Sequence, residues 1–336
     1  MQRLPVEKFL KQGQAILDVR SPKEYEQGHI PGAISFPLFS NEERAKVGTL
    51  YKQEGKEKAF KEGLRIVGPK MVDFVMEAEA LNAKQLHIYC WRGGMRSGSM
   101  GWLLSQAGFD SYLLEGGYKR YRSQLMNAFA TPLNLRVLTG LTGSGKTLVL
   151  NAMGDLGAQI LDLEAIANHK GSSFGNELSS GQPTTEQFQN DLYEALLKLD
   201  RNRPIWVEDE SMCIGKVHLP HSLFDQMKKG KYYLLEVDLQ ERLDLLVDDY
   251  GHLALEQLTN ATEKISKRLG PQNTTKAKAA LEHNDLRTAA QLLLTYYDRQ
   301  YHKSIDKKKE QVVARIDGRH LTPKEIAKKI ISIHGH

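Results

Sequence analysis

Short apolar runs bounded by turn residues alternate with stretches in which apolar residues recur every three or four positions. Ala15-Ile16-Leu17-Asp18-Val19-Arg20, Ile34-Ser35-Phe36-Pro37 and the run Leu86, Ile88, Tyr89 predict strands. Val6, Phe9 and Leu10 predict a short helix before them, and Ser21-Pro22-Lys23-Glu24-Tyr25 reads as the capped start of another. Met100, Trp102, Leu103, Leu104 and Ala107 mark a helix after the third strand. The pattern starts afresh at Leu135-Arg136-Val137-Leu138-Thr139, followed by an apolar helix through Leu148, Val149, Leu150 and Met153. A strand over 158–164 ends in Asp162 and Glu164; a helix runs through Phe188, Leu192, Leu196 and Leu197; a strand from Pro204 runs into Glu208-Asp209-Glu210-Ser211. Another strand covers 232–237. From Leu253 to Gln311 the pattern is helical only, and the chain closes with a strand over 312–316 and a helix from Thr322 to Ile330. Apolar strands alternating with helices predict α/β architecture with parallel sheets. The expected organisation is a domain over 1–125, a linker over 126–132, and a second domain over 133–336 with a basic helical insertion at 253–311.

With 336 residues the chain is long enough for two such domains. No apolar run approaches a membrane span and the N-terminus lacks a signal-peptide core, so a cytoplasmic protein without a membrane partner is expected. Two cysteines, Cys90 and Cys213, exclude a disulfide framework. Cys213 is expected to be a small packed thiol. The net charge of +5 conceals an acidic middle and a basic C-terminal third. That asymmetry points to a polyanionic partner or to a solvated helical face.

Candidate chemistry begins where the third strand ends. Cys90 is followed by Trp91, Arg92, Gly93, Gly94, Met95, Arg96 and Ser97, and then by a helix. A loop between a strand and a helix N-terminus aims backbone N–H groups at whatever lies over the cysteine, and two arginines add positive charge. Such a setting favours a thiolate nucleophile. Together with Asp18-Val19-Arg20, Gly28-His29-Ile30-Pro31-Gly32-Ala33 and Leu113-Leu114-Glu115-Gly116-Gly117-Tyr118, this loop resembles a rhodanese domain, motif for motif and in order. The resemblance implies a small parallel α/β domain whose cysteine carries a chalcogen. One departure is the loop length: five residues separate Cys90 from Arg96, where the usual rhodanese loop has four. Cysteine-dependent phosphatases share this longer loop, which suits a tetrahedral phosphate-like group. An insertion over 39–83 is either a packing helix pair or a substrate-facing lid.

The second domain opens on Gly140-Leu141-Thr142-Gly143-Ser144-Gly145-Lys146-Thr147 between a strand and a helix, a complete Walker A loop. Gly140, Gly143, Ser144, Gly145, Lys146 and Thr147 are its phosphate-binding residues, with Thr147 able to meet Mg²⁺. Asp209 and Glu210, at an apolar strand end, are the candidate metal-assisting acids. In the basic insertion, Lys264, Lys267, Arg268, Lys276, Lys278, Arg299 and Lys303 are candidate nucleic-acid contacts, interleaved with Tyr296, Tyr297 and Tyr301. The tyrosines serve either as base-stacking groups or as helix core.

A rhodanese domain followed by a P-loop domain, with Asn41-Glu42-Glu43-Arg44-Ala45-Lys46-Val47-Gly48-Thr49-Leu50-Tyr51 and Gly171-Ser172-Ser173-Phe174-Gly175, is similar to the bacterial tRNA 2-selenouridine synthase family over essentially the whole chain. The resemblance implies a rhodanese-like domain fused to a P-loop NTPase-like domain. It also implies exchange of sulfur for selenium in wobble 2-thiouridine of tRNA. Selenophosphate is then the donor and geranyl diphosphate the source of an S-geranyl intermediate. Cys90 would be the catalytic thiol, residues 91–97 the selenophosphate loop, and the P-loop the diphosphate site. A selenophosphate-producing enzyme is a partner on this reading, and ATP is left open as a P-loop occupant. The alternatives are a cysteine-dependent phosphatase, a P-loop kinase or ATPase with a regulatory rhodanese domain, and a non-catalytic RNA-binding protein.

Overall fold

Tyr89, the last residue of a strand buried from Leu86 onward, ties together motifs that lie far apart in the chain. Its hydroxyl donates to Asp18 Oδ2 (2.7 Å) and accepts from the Ile30 N–H (3.2 Å). Asp18 pairs with Arg20 (2.6 Å), and Arg20 reaches the Gly28 carbonyl (2.7 Å) and lies 3.9 Å from the Tyr118 ring centroid. Burial alone would lower the Arg20 pKa; the Asp18 hydrogen bond and charge outweigh it and hold the guanidinium above its ordinary value. Asp18-Val19-Arg20 and the Gly28–Ala33 turn are therefore fasteners beneath the cysteine loop.

The computed structural model describes residues 1–10, 15–170 and 181–334. They divide into two units, Met1–Ala128 and Phe129–His336. The first contains β1 (Gln2–Leu4), α1 (Val6–Phe9), β2 (Ala15–Asp18), α2 (Pro22–Gln27), β3 (Ile34–Ser35), α3 (Asn41–Gln53), α4 (Lys56–Val67), α5 (Met71–Ala80), β4 (Gln85–Tyr89), α6 (Met95–Gln106), β5 (Asp110–Leu114) and α7 (Gly117–Ala130). Its sheet has the order β1-β5-β4-β2-β3, with every pairing parallel. β4 is central, and Leu86, His87, Ile88 and Tyr89 are buried, as expected of a strand covered on both faces. Sequence reading missed β1, a three-residue edge strand. The insertion folds as α3 to α5. It contributes Phe74 and Ala78 to the core and leaves Phe60, Leu64, Val72 and Met76 exposed.

The second unit contains β6 (Leu135–Gly140), α8 (Lys146–Asp155), β7 (Gln159–Leu161), α9 (Leu163–Ile166), α10 (Thr185–Leu197), β8 (Ile205–Glu208), β9 (Cys213–Ile214), β10 (Val217–His218), α11 (His221–Lys228), β11 (Lys231–Glu236), α12 (Leu239–Tyr250), α13 (Leu255–Lys264), α14 (Ser266–Leu269), α15 (Pro271–Glu282), α16 (Leu286–Lys307), β12 (Val312–Asp317) and α17 (Pro323–His334). Its main sheet, β12-β11-β6-β8-β7, is again wholly parallel. α12 to α16 form the excursion between β11 and β12. No described helix is long and apolar enough to cross a membrane.

Two expectations are corrected here. Residues 126–130 of the expected linker are the end of α7, because Leu125 and Phe129 continue its buried stripe. The backbone beyond is held by Gln226, which donates to the Phe129 carbonyl (2.7 Å) and accepts from the Leu133 N–H (2.8 Å). Cys213 is exposed, at the start of the β9–β10 hairpin rather than in a core.

Tyr89→Phe strips Asp18 and the Ile30 N–H of a buried partner and should destabilise the protein by about 1–3 kcal/mol, read by urea denaturation.

Candidate functional site

Both candidate sites lie at the carboxyl ends of parallel strands, where an open α/β sheet leaves a crevice. In the first unit Cys90 leaves β4 and is almost fully buried (3% exposed). Its sulfur lies 3.2 Å from the Ser97 hydroxyl, which is 3.3 Å from the Gly94 carbonyl. α6 begins at Met95, so the first-turn N–H groups of the helix are free of intrahelical partners. Among the described residues none of the N–H groups of residues 91–97 donates to a backbone carbonyl.

The back of the loop is held by the turn into α7. The Tyr118 N–H donates to the Cys90 carbonyl and the Lys119 N–H to that of Trp91, both at 2.9 Å, while Arg3 donates to the Gly93 carbonyl (2.8 Å). Gly117 has φ +62°, and a Cβ there would lie 2.3 Å from both the Cys90 oxygen and the Gly93 nitrogen. Glycine is required by the close approach as well as by the dihedral.

The two arginines part company. Arg92 is exposed, with Trp91 and Met95, at the surface of the loop. Arg96, expected to grip the anion, forms a two-pronged pair with Glu24 (2.7 and 3.2 Å). Glu24 neutralises Arg96 and ties the loop to α2, while Arg92 is left exposed. Burial alone would raise Glu24; the hydrogen bond and charge of Arg96 hold it down to about 2. In the sequence Glu24 belongs to a helix start, with nothing local to point to this partner.

In the second unit Gly143 and Gly145 adopt φ +78° and +72°, winding the P-loop from β6 into α8. A Cβ on Gly143 would meet the Arg242 carbonyl at 2.9 Å, and one on Gly140 the Leu235 carbonyl at 2.8 Å. Ser144 is buried in the loop. Lys146 Nζ donates to the Gly140 carbonyl (3.3 Å) and lies 5.6 Å from the Tyr301 ring centroid. Thr147 donates to Glu164 (3.2 Å). Glu164, Glu208 and Glu210 present carboxylate oxygens within 4.8 Å of one another. Burial, with Glu164 alongside, pushes Glu208 up to about 7 against the pull of Lys146, and pushes Glu210 well above the usual range. Burial alone would lower Lys146, but Tyr301 and the three glutamates outweigh it and keep its ammonium above the ordinary value.

The acids therefore need a correction. Along 208–210 the side chains alternate: Glu208 and Glu210 line the cleft, whereas Asp209 accepts from Thr139 (2.8 Å) and pairs with Lys308 (2.7 Å). Asp209 is held by those partners and is not a cleft acid. The set missing from the sequence candidates is Glu164, which the expected strand over 158–164 included but which lies in the first turn of α9, and Glu208, the last residue of β8. Glu208 is 3% exposed and its Oε1 has no hydrogen-bond partner, as an oxygen awaiting a cation would be. Three carboxylates beside the Thr147 hydroxyl fit Mg²⁺, a cation that prefers oxygen ligands. Sequence reading also missed Arg242, 3% exposed, which donates to the Thr142 carbonyl (2.8 Å) and pairs with Asp298 (2.5 Å).

The basic candidates are spread over several helices. Lys264, Lys267, Arg268, Lys276 and Arg299 are exposed; Lys278 pairs with Glu263; Arg268 also reaches the Tyr296 hydroxyl (3.4 Å). The Lys303 side chain lies outside the described residues, as does the Gly171–Gly175 motif. Tyr296 and Tyr297 pack on the core of the insertion, and Tyr301 lines the P-loop cleft, so none of the three stands as an exposed stacking platform.

Residues 133–328 match the family model described as the tRNA 2-selenouridine synthase AAA domain, and residues 5–124 match the rhodanese-like domain. A tRNA 2-selenouridine synthase of Shewanella denitrificans is 35% identical over 91% of this chain and 92% of its own length. One of Cronobacter sakazakii is 35% identical over 92% of each. One of Nitrosomonas europaea is 39% identical over 70% of this chain, a match that spans 63% of that relative's length.

Glu24→Gln should cost about 2 kcal/mol at neutral pH. A carboxylate held low in the folded state stabilises it above its unfolded pKa, so this difference should shrink as pH falls from about 4.5 towards about 2, read by urea denaturation across that range.

Proposed function

This chain belongs to the tRNA 2-selenouridine synthase family, and from that premise we propose that it exchanges sulfur for selenium in wobble 2-thiouridine of tRNA, with selenophosphate as donor and an S-geranyl intermediate made from geranyl diphosphate. The observation that carries the reading is the presence of two anion-binding loops with different chemistry, one built on a buried thiol and one on a P-loop lysine.

The P-loop N–H groups and Lys146 hold the diphosphate of the prenyl donor. The uridine sulfur attacks the first prenyl carbon, the carbon–oxygen bond breaks, and diphosphate leaves with the electron pair. Lys146 stabilises that charge where it develops. Glu164, Glu208, Glu210 and Thr147 would hold Mg²⁺, which when bound would neutralise part of the same charge. Alkylation turns a sulfur that departs poorly into one that leaves as a prenyl thiol when the selenium of selenophosphate adds at uridine C2; water then cleaves the selenium–phosphorus bond and phosphate departs. In the first unit the loop N–H groups and Arg92 hold the phosphoryl part of selenophosphate, with Cys90 positioning the selenium. The exposed basic residues of α13 to α16 grip tRNA phosphates, which makes binding steeply salt-dependent.

Two substitutions separate the half-reactions, read by mass analysis of tRNA nucleosides. Cys90→Ala should abolish 2-selenouridine while leaving S-geranyl-2-thiouridine to accumulate; selenouridine at the wild-type rate would remove the thiol from the mechanism. Lys146→Ala should slow geranylation by about a hundredfold or more; unchanged geranylation would free the P-loop from this role.

A further inference from the structure

A large aromatic side chain stands in the open at the thiol loop. Trp91, next to Cys90, is 38% exposed. Its ring is held from behind: the centroid lies 5.8 Å from that of Tyr118, which is fully buried and covers the Arg20 guanidinium at 3.9 Å. Its carbonyl accepts from the Lys119 N–H (2.9 Å). Two cations follow at the start of α7. Lys119 and Arg120 are both exposed, and a Cβ on Gly116 would meet the Arg120 Cβ at 2.8 Å, so the arginine rises from the turn that backs the loop. Among the described residues no carboxylate pairs with Arg92, Lys119 or Arg120, and Glu24 on α2 is taken by Arg96.

We propose that this face receives a single-stranded RNA loop: Trp91 is the platform on which a turned-out uridine stacks, and Lys119 and Arg120 hold phosphates of the same strand. The proposal rests on the reading of tRNA as the substrate and names where the first unit meets it. Cys90 is 3% exposed, so a uridine stacked inside an RNA loop cannot present its C2 atom to the sulfur. The base has to leave its stack, and an aromatic side chain beside the thiol replaces the stacking it loses. An indole already packed on a buried ring makes that contact without first having to be ordered. Cations beside an exposed indole match a polyanion that carries flat, apolar-faced bases. An acidic polypeptide would answer the charges and leave the indole unused. A duplex would do the same, because its bases are stacked on one another. The face thus supplies what Tyr296, Tyr297 and Tyr301, all engaged elsewhere, do not.

The test is binding of the full-length protein, with no selenium or prenyl donor present, to an anticodon stem-loop RNA carrying 2-thiouridine at the wobble position. Affinity is read by anisotropy of the labelled RNA. Stacking is read by tryptophan emission in a Trp102→Phe background, where Trp91 is the exposed indole and Trp206 is buried. The stem-loop should quench Trp91; one with an abasic wobble position should not, and should bind about tenfold more weakly. Trp91→Ala should weaken the intact stem-loop by about tenfold and move the abasic one by no more than about twofold, while Trp91→Phe, which keeps a ring, should recover most of the loss. Lys119→Ala with Arg120→Ala should weaken both RNAs and lower the slope of log affinity against log salt by about one to two. If the abasic stem-loop, a duplex RNA or polyglutamate quenches Trp91 as strongly as the intact stem-loop, the stacking assignment falls. If the stem-loop binds and neither Trp91→Ala nor the paired change at Lys119 and Arg120 weakens it, RNA is held elsewhere and the face is overturned, with the substrate reading intact. If wild type binds neither the stem-loop nor whole tRNA, the substrate reading itself falls. Should Trp91→Ala disturb the Cys90 loop, the emission of Trp91 with intact and abasic RNA decides.

Discussion

A guanidinium removed from water keeps its charge and has to be answered by partners on several sides. Both units set such a group behind their anion loop. Arg20 is paired with Asp18, accepted by the Gly28 carbonyl and covered by Tyr118, whose own N–H holds the Cys90 carbonyl. Arg242 is paired with Asp298 and donates to the Thr142 carbonyl within the P-loop. Neither arginine lines the space an anion would occupy. Each fixes the backbone whose N–H groups do, and the fixed backbone is what allows a loop to present donors without reorganising when charge arrives.

The pairs differ in what they join. The Arg20 network gathers separate motifs of one small sheet, so that the thiol is positioned by residues far from it in sequence. Arg242 joins the P-loop to α16, the long helix of the excursion between β11 and β12. The same helix brings Tyr301 over Lys146, and the segment just beyond it brings Lys308 to Asp209. The phosphate site is thus finished by residues that the chain supplies only after leaving the sheet.

The sequence carried the strands, the two loops and the division of labour between them because those features are local: an apolar run, a turn, a glycine spacing. It carried less where the deciding contact is made at long range. Arg92 and Arg96 look alike in a loop, and only the fold brings Glu24 to one of them. Glu208, Asp209 and Glu210 look alike at a strand end, and only the fold shows the middle one held away from the cleft by Thr139 and Lys308. Cys213 lies just past an acidic strand end, but a two-residue hairpin turns it to the surface. The expected linker over 126–132 ends in Thr131-Pro132; the helix instead takes in residues up to Ala130, because Phe129 still continues its buried stripe.

Gly117 bears on how sequences of this kind are compared. The Cys90 loop leans on a backbone with no room for a single methyl group, at a position that has no side chain to react or bind with. A homologous chain could keep its cysteine, both arginines and the serine, and still hold its thiol out of register if that glycine were lost. In sorting working members of such a family from degenerate ones, the residue that backs the loop is as informative as the nucleophile, and an inventory limited to reactive side chains would pass over it.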